Sequence, residues 1–157
     1  MKLRKKNAGI GLLELMLSLA IIAVLLIMAT RYYSSASDAQ KIQASVDMIN
    51  AVRAAVGNYV AGEGVPSSPP SITTLVASGY LPESFGSTST AVETSNPWGS
   101  SIATNPSGSN GFEVLLDTGN ADTCQAVLAK INATSSTSSA GNNCGGNGGL
   151  VYAKFYY

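Results

Sequence analysis

Histidine is absent from this 157-residue chain. Imidazole is the side chain whose ordinary pKa lies nearest neutrality, and it is the commonest nitrogen ligand of zinc. Its absence excludes His-based acid–base catalysis and His metal sites. Cysteine is scarce: Cys124 and Cys144 are the two present. That is too few for structural zinc, and no histidine backs either one as a nucleophile. Charge is sparse too, at 11% of residues. The formal balance of zero hides an asymmetry, because Lys2, Arg4, Lys5 and Lys6 all fall in the first nine positions. Beyond them five basic residues (Arg31, Lys41, Arg53, Lys130, Lys154) stand against nine acidic ones, a net −4. Such a surface argues against direct nucleic-acid binding. Proline is missing from Met1 to Val65, and Gly57 is the only glycine between Leu12 and Ala61. Little in that span would break a long helix. No phosphate loop, nucleophile elbow or metal motif occurs, so nothing argues for an enzyme or implies a cofactor.

What is present is organised around Ile10 to Thr30. In that run the only charge is Glu14, and the only other clearly polar residues are Ser18 and Thr30. Twenty-one helical residues reach roughly 32 Å, close to the hydrocarbon thickness of a bilayer. All four leader cations precede the run, the arrangement of a cytoplasmic flank, so residues after Arg31 are expected on the exported side. A cleaved secretory signal has an apolar core of about 7–15 residues and a small-residue cleavage site. This run is longer and carries a carboxylate early. An ionisable side chain in a spanning segment is costly and is by default a functional hypothesis. Cleavage after Gly9 would make Ile10 residue one and Glu14 residue five, and would create an amine as a partner for the carboxylate. On one helix the two lie a turn apart. Between staggered neighbours, the amine of one chain would meet the carboxylate of the next and select a register.

These residues resemble the class III leader of type IV pilins: a short basic segment ending in Gly9, apolar Ile10, and Glu14 at the fifth position of a long apolar helix. The departure is Ile10, where Phe or Met is usual. Cleavage after Gly11 would leave Glu14 at position three, which favours Gly9. The resemblance implies that a prepilin peptidase cuts between Gly9 and Ile10 and N-methylates Ile10. It also implies that Glu14 neutralises that amine as the filament assembles, and that an ATPase-driven platform extracts subunits from the inner membrane.

Past the apolar run the helix is expected to continue. Ile42, Val46, Ile49, Val52, Val56 and Val60 recur every three or four residues, one apolar face. Gly62-Glu63-Gly64 followed by Pro66 is the expected stop. The result is one helix of about 50 residues, roughly 75 Å long. Its second half would pack on a globular domain, and its first half must be covered by lipid or by other subunits. Ser71 to Ser78 reads as a short helix, with Ser71 as N-cap and Gly79 just past the end. Glu83 to Asn110 reads as loop with room for short edge strands.

Within that loop, Asn96-Pro97-Trp98-Gly99 is a turn around the only tryptophan. Trp98 either pins the loop to the core, the reading we favour, or contacts a neighbouring subunit. The short helix, the Gly79-Tyr80-Leu81-Pro82 exit and this turn together resemble type IVb pilins of the thin-pilus kind. The Pro-Trp-Gly turn is shared with the major pseudopilins of type II secretion.

Phe112 to Leu116 reads as a strand, Cys124 to Ile131 as a helix capped by Asp122 or Thr123, and Leu150 to Tyr157 as a final strand. With export argued, the even cysteine count predicts a Cys124–Cys144 disulfide. With 19 residues between them, the bond would contribute about 3 kcal/mol by chain entropy. The Ser-, Asn- and Gly-rich segment from Ala133 to Gly149 cannot form much core, and the bond would hold it down. Glu93, Glu113, Asp117 and Asp122 are scattered acids without calcium-loop spacing. Asn132-Ala133-Thr134 fits a glycosylation sequon.

The expected fold is α+β in the type IV pilin plan: a long N-terminal helix, half of it protruding and hydrophobic, packed on an antiparallel β-sheet domain. The expected division is a leader at 1–9, a helix at 10–61 with 10–30 as membrane span and filament core, and a headgroup at 62–157. The expected function is a structural subunit of an extracellular type IV pilus serving adhesion, cell–cell contact or conjugation. Its partners would be identical subunits, the peptidase, the assembly platform with its ATPase and, before assembly, the inner membrane. The rival readings are a secretion pseudopilin and a membrane-anchored binding protein that never polymerises.

Overall fold

The computed structural model describes residues 10–85, 96–107, 111–134, 143–145 and 149–157. The chain divides into two units, Met1–Ala39 and Gln40–Tyr157. Helix α1, Ile10–Glu63, contributes to both.

In the first unit every described residue is helical, and every residue from Gly11 to Ser35 is exposed. Helix formation there needs no amphipathic face. Leucine, alanine and methionine are strong formers, and no proline interrupts them. The helix ends where a left-handed residue is needed: Gly64 has φ +89° and its N–H donates to the Val60 carbonyl at 2.9 Å. A side chain would strain that conformation, and glycine adopts it freely.

In the second unit the apolar face of α1 is buried as its periodicity predicts. Val46, Ile49, Val52 and Val56 are at most 4% exposed, and Ile42 and Val60 pack at the margin. Each fully buried aliphatic chain contributes about 2 kcal/mol, so this face holds the helix far more firmly than its propensity could. Ala55 and Ser45 share the face.

Helix α2, Ile72–Ala77, has Ser71 as N-cap, its hydroxyl accepting from the Thr74 N–H. At its other end the Tyr80 N–H reaches the Leu75 carbonyl (2.9 Å), and the Gly79 N–H reaches Val76 (3.0 Å). That reciprocal pair, with Gly79 at φ +78°, is a Schellman ending. Ile72, Leu75 and Val76 are buried. A single 3-10 turn, Glu83–Phe85, follows.

Among the described residues four antiparallel strands form one sheet, with the third strand in the chain at one edge and the fourth beside the second. They are β1 Ile102–Pro106, β2 Gly111–Asp117, β3 Asn143–Gly145 and β4 Leu150–Tyr156. The register places Leu116 opposite Ile102 and Val151, and Phe112 opposite Phe155. Alternation then sends Ile102, Phe112, Val114, Leu116, Val151, Ala153 and Phe155 to one buried face. Glu113, Leu115, Tyr152 and Lys154 lie half-buried on the other face, with Glu113 and Lys154 paired across the strands at 4.0 Å. Helix α3, Ala121–Thr134, adds Cys124, Val127, Leu128 and Ile131 to the core. The Arg53 guanidinium lies 5.0 Å from the Phe155 ring centre, and Phe112 stacks on Tyr157 at 5.8 Å. Burial there raises the phenol pKa of Tyr157.

One local expectation is corrected. Neither Asp122 nor Thr123 caps α3. Asn120 does: its Oδ1 accepts from the Asp122 N–H at 2.7 Å, and its carbonyl accepts from the Cys124 N–H. Thr123 turns its hydroxyl back onto the Asn120 carbonyl. The helix therefore begins earlier than its apolar residues announce.

Candidate functional site

The candidate site is the N-terminal stretch of α1. Ile10 opens the helix, and Gly11 beside it has open space where a side chain would project. Glu14 follows one turn after Ile10 and is exposed. The two hydroxyls of the apolar run are satisfied by their own helix: Ser18 Oγ donates to the Leu15 carbonyl (2.9 Å), and Thr30 Oγ1 donates to Ile27 (3.0 Å). Such back-bonding removes them as polar liabilities in an apolar medium. Glu14 has no partner among the described residues, so its carboxylate is the one group in the run that still requires one.

The large apolar side chains from Leu12 to Met28 are 52–73% exposed. The helix is long and apolar enough to cross a membrane, and none of its most apolar stretch is buried. Monomeric soluble proteins rarely leave so much contiguous apolar surface open. Covering these side chains is worth on the order of 20 kcal/mol, so lipid or other protein must do it. A chain beginning at Ile10 would also place an ammonium at the positive end of the helix dipole, where a cation is disfavoured. The nearest carboxylate along the chain is Glu14. The arrangement therefore offers one negative charge, one turn into an apolar rod, to any amine presented at that level.

Gly9, the other half of the expected cleavage bond, lies outside the described residues, as does the rest of the leader. So do Glu93 and much of the segments 83–110 and 133–149. Cys124 and Cys144 are bonded to each other, tying the first turn of α3 to the edge strand β3. Trp98 is half-buried against the core. Its turn is clamped by Asn96, which is 3% exposed. Asn96 Nδ2 donates to the Asp117 carbonyl (2.6 Å), and Oδ1 accepts from the backbone N–H groups of Trp98 (2.8 Å) and Ser100 (3.2 Å).

The scattered acids do not converge among the described residues. Glu113 pairs with Lys154, Asp117 accepts from the Gly119 N–H, and Asp122 sits in the first turn of α3. Asn132 of the sequon lies exposed near the end of α3. Sequence reasoning did not single out Tyr32 and Tyr33, which are 79% and 77% exposed at the end of the apolar run. Their adjacency to Arg31 was the available signal.

The molecule is thus an α+β protein with a long N-terminal helix and a small antiparallel four-stranded sheet, consistent with the type IV pilin fold. Residues 4–30 match the family model described as the prokaryotic N-terminal methylation motif. The chain therefore carries a type IV pilin-like prepilin leader, the mark of a pilin or pseudopilin-like protein processed by a prepilin peptidase. That match and the apolar helix fit anchoring in the inner membrane before assembly. No curated protein and no solved structure matches the chain.

Proposed function

We propose that this protein is the structural subunit of an extracellular type IV pilus, serving adhesion, cell–cell contact or conjugation, and held in the inner membrane before assembly. The observation that carries the reading is the exposed apolar rod of α1 with Glu14, unpartnered among the described residues, a turn from Ile10. In this reading the peptidase cuts between Gly9 and Ile10 and methylates Ile10. The rod then leaves lipid for a bundle of identical rods. That transfer exchanges one apolar surrounding for another, so hydrophobicity contributes little net drive. The Glu14 carboxylate meeting a neighbour's Ile10 amine supplies the register, since a charge buried without its partner is strongly unfavourable. The Cys124–Cys144 bond supports the pilus over the secretion pseudopilus, because by the family resemblance pseudopilins usually lack this cysteine pair.

Replacing Glu14 by Gln tests this directly, because shape is kept and only the charge is lost. Membrane levels of the subunit should match the parent, and sheared surface filaments should disappear. Filaments at parental yield would refute the assigned role. A parent that assembles but never extends beyond the envelope would make it a pseudopilin.

A further inference from the structure

Directly after the apolar run come Arg31, Tyr32 and Tyr33, followed by Ser34 and Ser35, all exposed. Among the described residues the two tyrosines are the most exposed of the large hydrophobic side chains. We propose that Arg31, Tyr32 and Tyr33 form a band that seats in the phospholipid headgroup layer on the exported side and fixes how deeply the span sits. The proposal rests on the membrane-resident reading given under Proposed function.

The pattern itself selects a lipid interface over a partner helix. A helix that docks on another presents large side chains every three or four residues, building a stripe along one face. Here they are consecutive, about 100° apart around the axis, so they mark a level and spread over about 200° of the circumference instead of building a stripe. No large apolar side chain follows until Ile42. Tyrosine suits that level chemically, with an apolar ring for the acyl boundary and a hydroxyl for the wet side, and arginine extends its charge outward from the same depth. The spacing agrees as well. Tyr32 lies 22 residues beyond Ile10, about 33 Å along the helix, which is close to one hydrocarbon thickness. With the band in the outer headgroups, Ile10 comes to the opposite interface. Glu14 then lies only about 6 Å further in, within reach of that interface by its own side chain.

The test uses the full chain in vesicles of phosphatidylcholine and phosphatidylglycerol carrying brominated lipids. The bromines sit either near the acyl carbonyls or near the chain ends. Tyr33→Trp and Leu25→Trp are made separately, and the emission of Trp98 in the parent is subtracted. The Leu25→Trp probe should be quenched most by the deep bromines, and the Tyr33→Trp probe by the shallow ones. If the Leu25 position is quenched deeply and the Tyr33 position is quenched deeply or not at all, the band is wrong while the membrane reading stands. Blue-shifted emission from Tyr33→Trp without lipid quenching would place it against another copy of the chain, and overturns the band too. If neither probe is quenched, the membrane reading itself fails. Tyr32→Ala/Tyr33→Ala in the Leu25→Trp chain should shift the ratio of shallow to deep quenching. An unchanged ratio means that the rings do not set the depth.

Discussion

Removing the Cys124–Cys144 bond should destabilise the second unit without changing its fold. The two sulfurs join the buried Cys124, in the first turn of α3, to β3, a strand of only three residues at the sheet edge. Nineteen residues separate the cysteines, and closing a loop of that size removes about 3 kcal/mol of unfolded-state freedom. For a unit of this size each kcal/mol corresponds to a few degrees, so the midpoint should fall by about 10–15 °C. The perturbation is Cys124→Ala/Cys144→Ala in the full chain in detergent, compared with the parent before and after reduction. Thermal unfolding is followed by the near-ultraviolet dichroism of the aromatic core. The reduced parent and the double variant should lose the same amount within about 1 kcal/mol, because they share the same open loop. A midpoint change under about 2 °C in both would refute the reasoning. It would mean that opening the bond frees the folded segment about as much as the unfolded one, or that the unfolded chain already keeps the two cysteines close.

Asn96→Ala should cost about 3 kcal/mol, since it strands the part-buried Asp117 carbonyl and two backbone N–H groups together. The dichroism band of Trp98 should weaken at a temperature where the parent is intact. Gly57→Ala should stabilise by about 0.5–1 kcal/mol. The site is exposed, helical, and has nothing within 4 Å of the added methyl group. A lower midpoint would show that the backbone there is not the open helix described.

Legibility in the sequence followed the strength of local signals. Helix α1 could be read because Val46, Ile49, Val52 and Val56 repeat at helical spacing and Gly64 stops it in the left-handed region. Helix α2 could be read from its two ends, where Ser71 and Gly79 each do a job that few residues can. The strands β2 and β4 could be read from their own side chains. The edge strands resisted. Asn143–Gly145 has no apolar alternation, and its place comes from pairing with β4 and from the sulfur link at Cys144. Ile102–Pro106 contributes one buried side chain, and its pairing is supplied by β2. Both are strands because a neighbour offers hydrogen bonds, which one segment's composition does not record. At the N-terminus the order is reversed: Glu14 stood out in the sequence as the single charge in an apolar run. The helix adds that it is exposed and unpartnered among the described residues.

In the proposed function the apolar rod of α1, freed at Ile10, is the part from which a surface filament is built. The most direct test is the intact mass and N-terminal sequence of the protein sheared from the surface of producing cells. A pilus subunit should be recovered as a chain that starts at methylated Ile10 and is two hydrogens lighter for one disulfide. A chain that retains Met1, or one cut after Thr30, would contradict it.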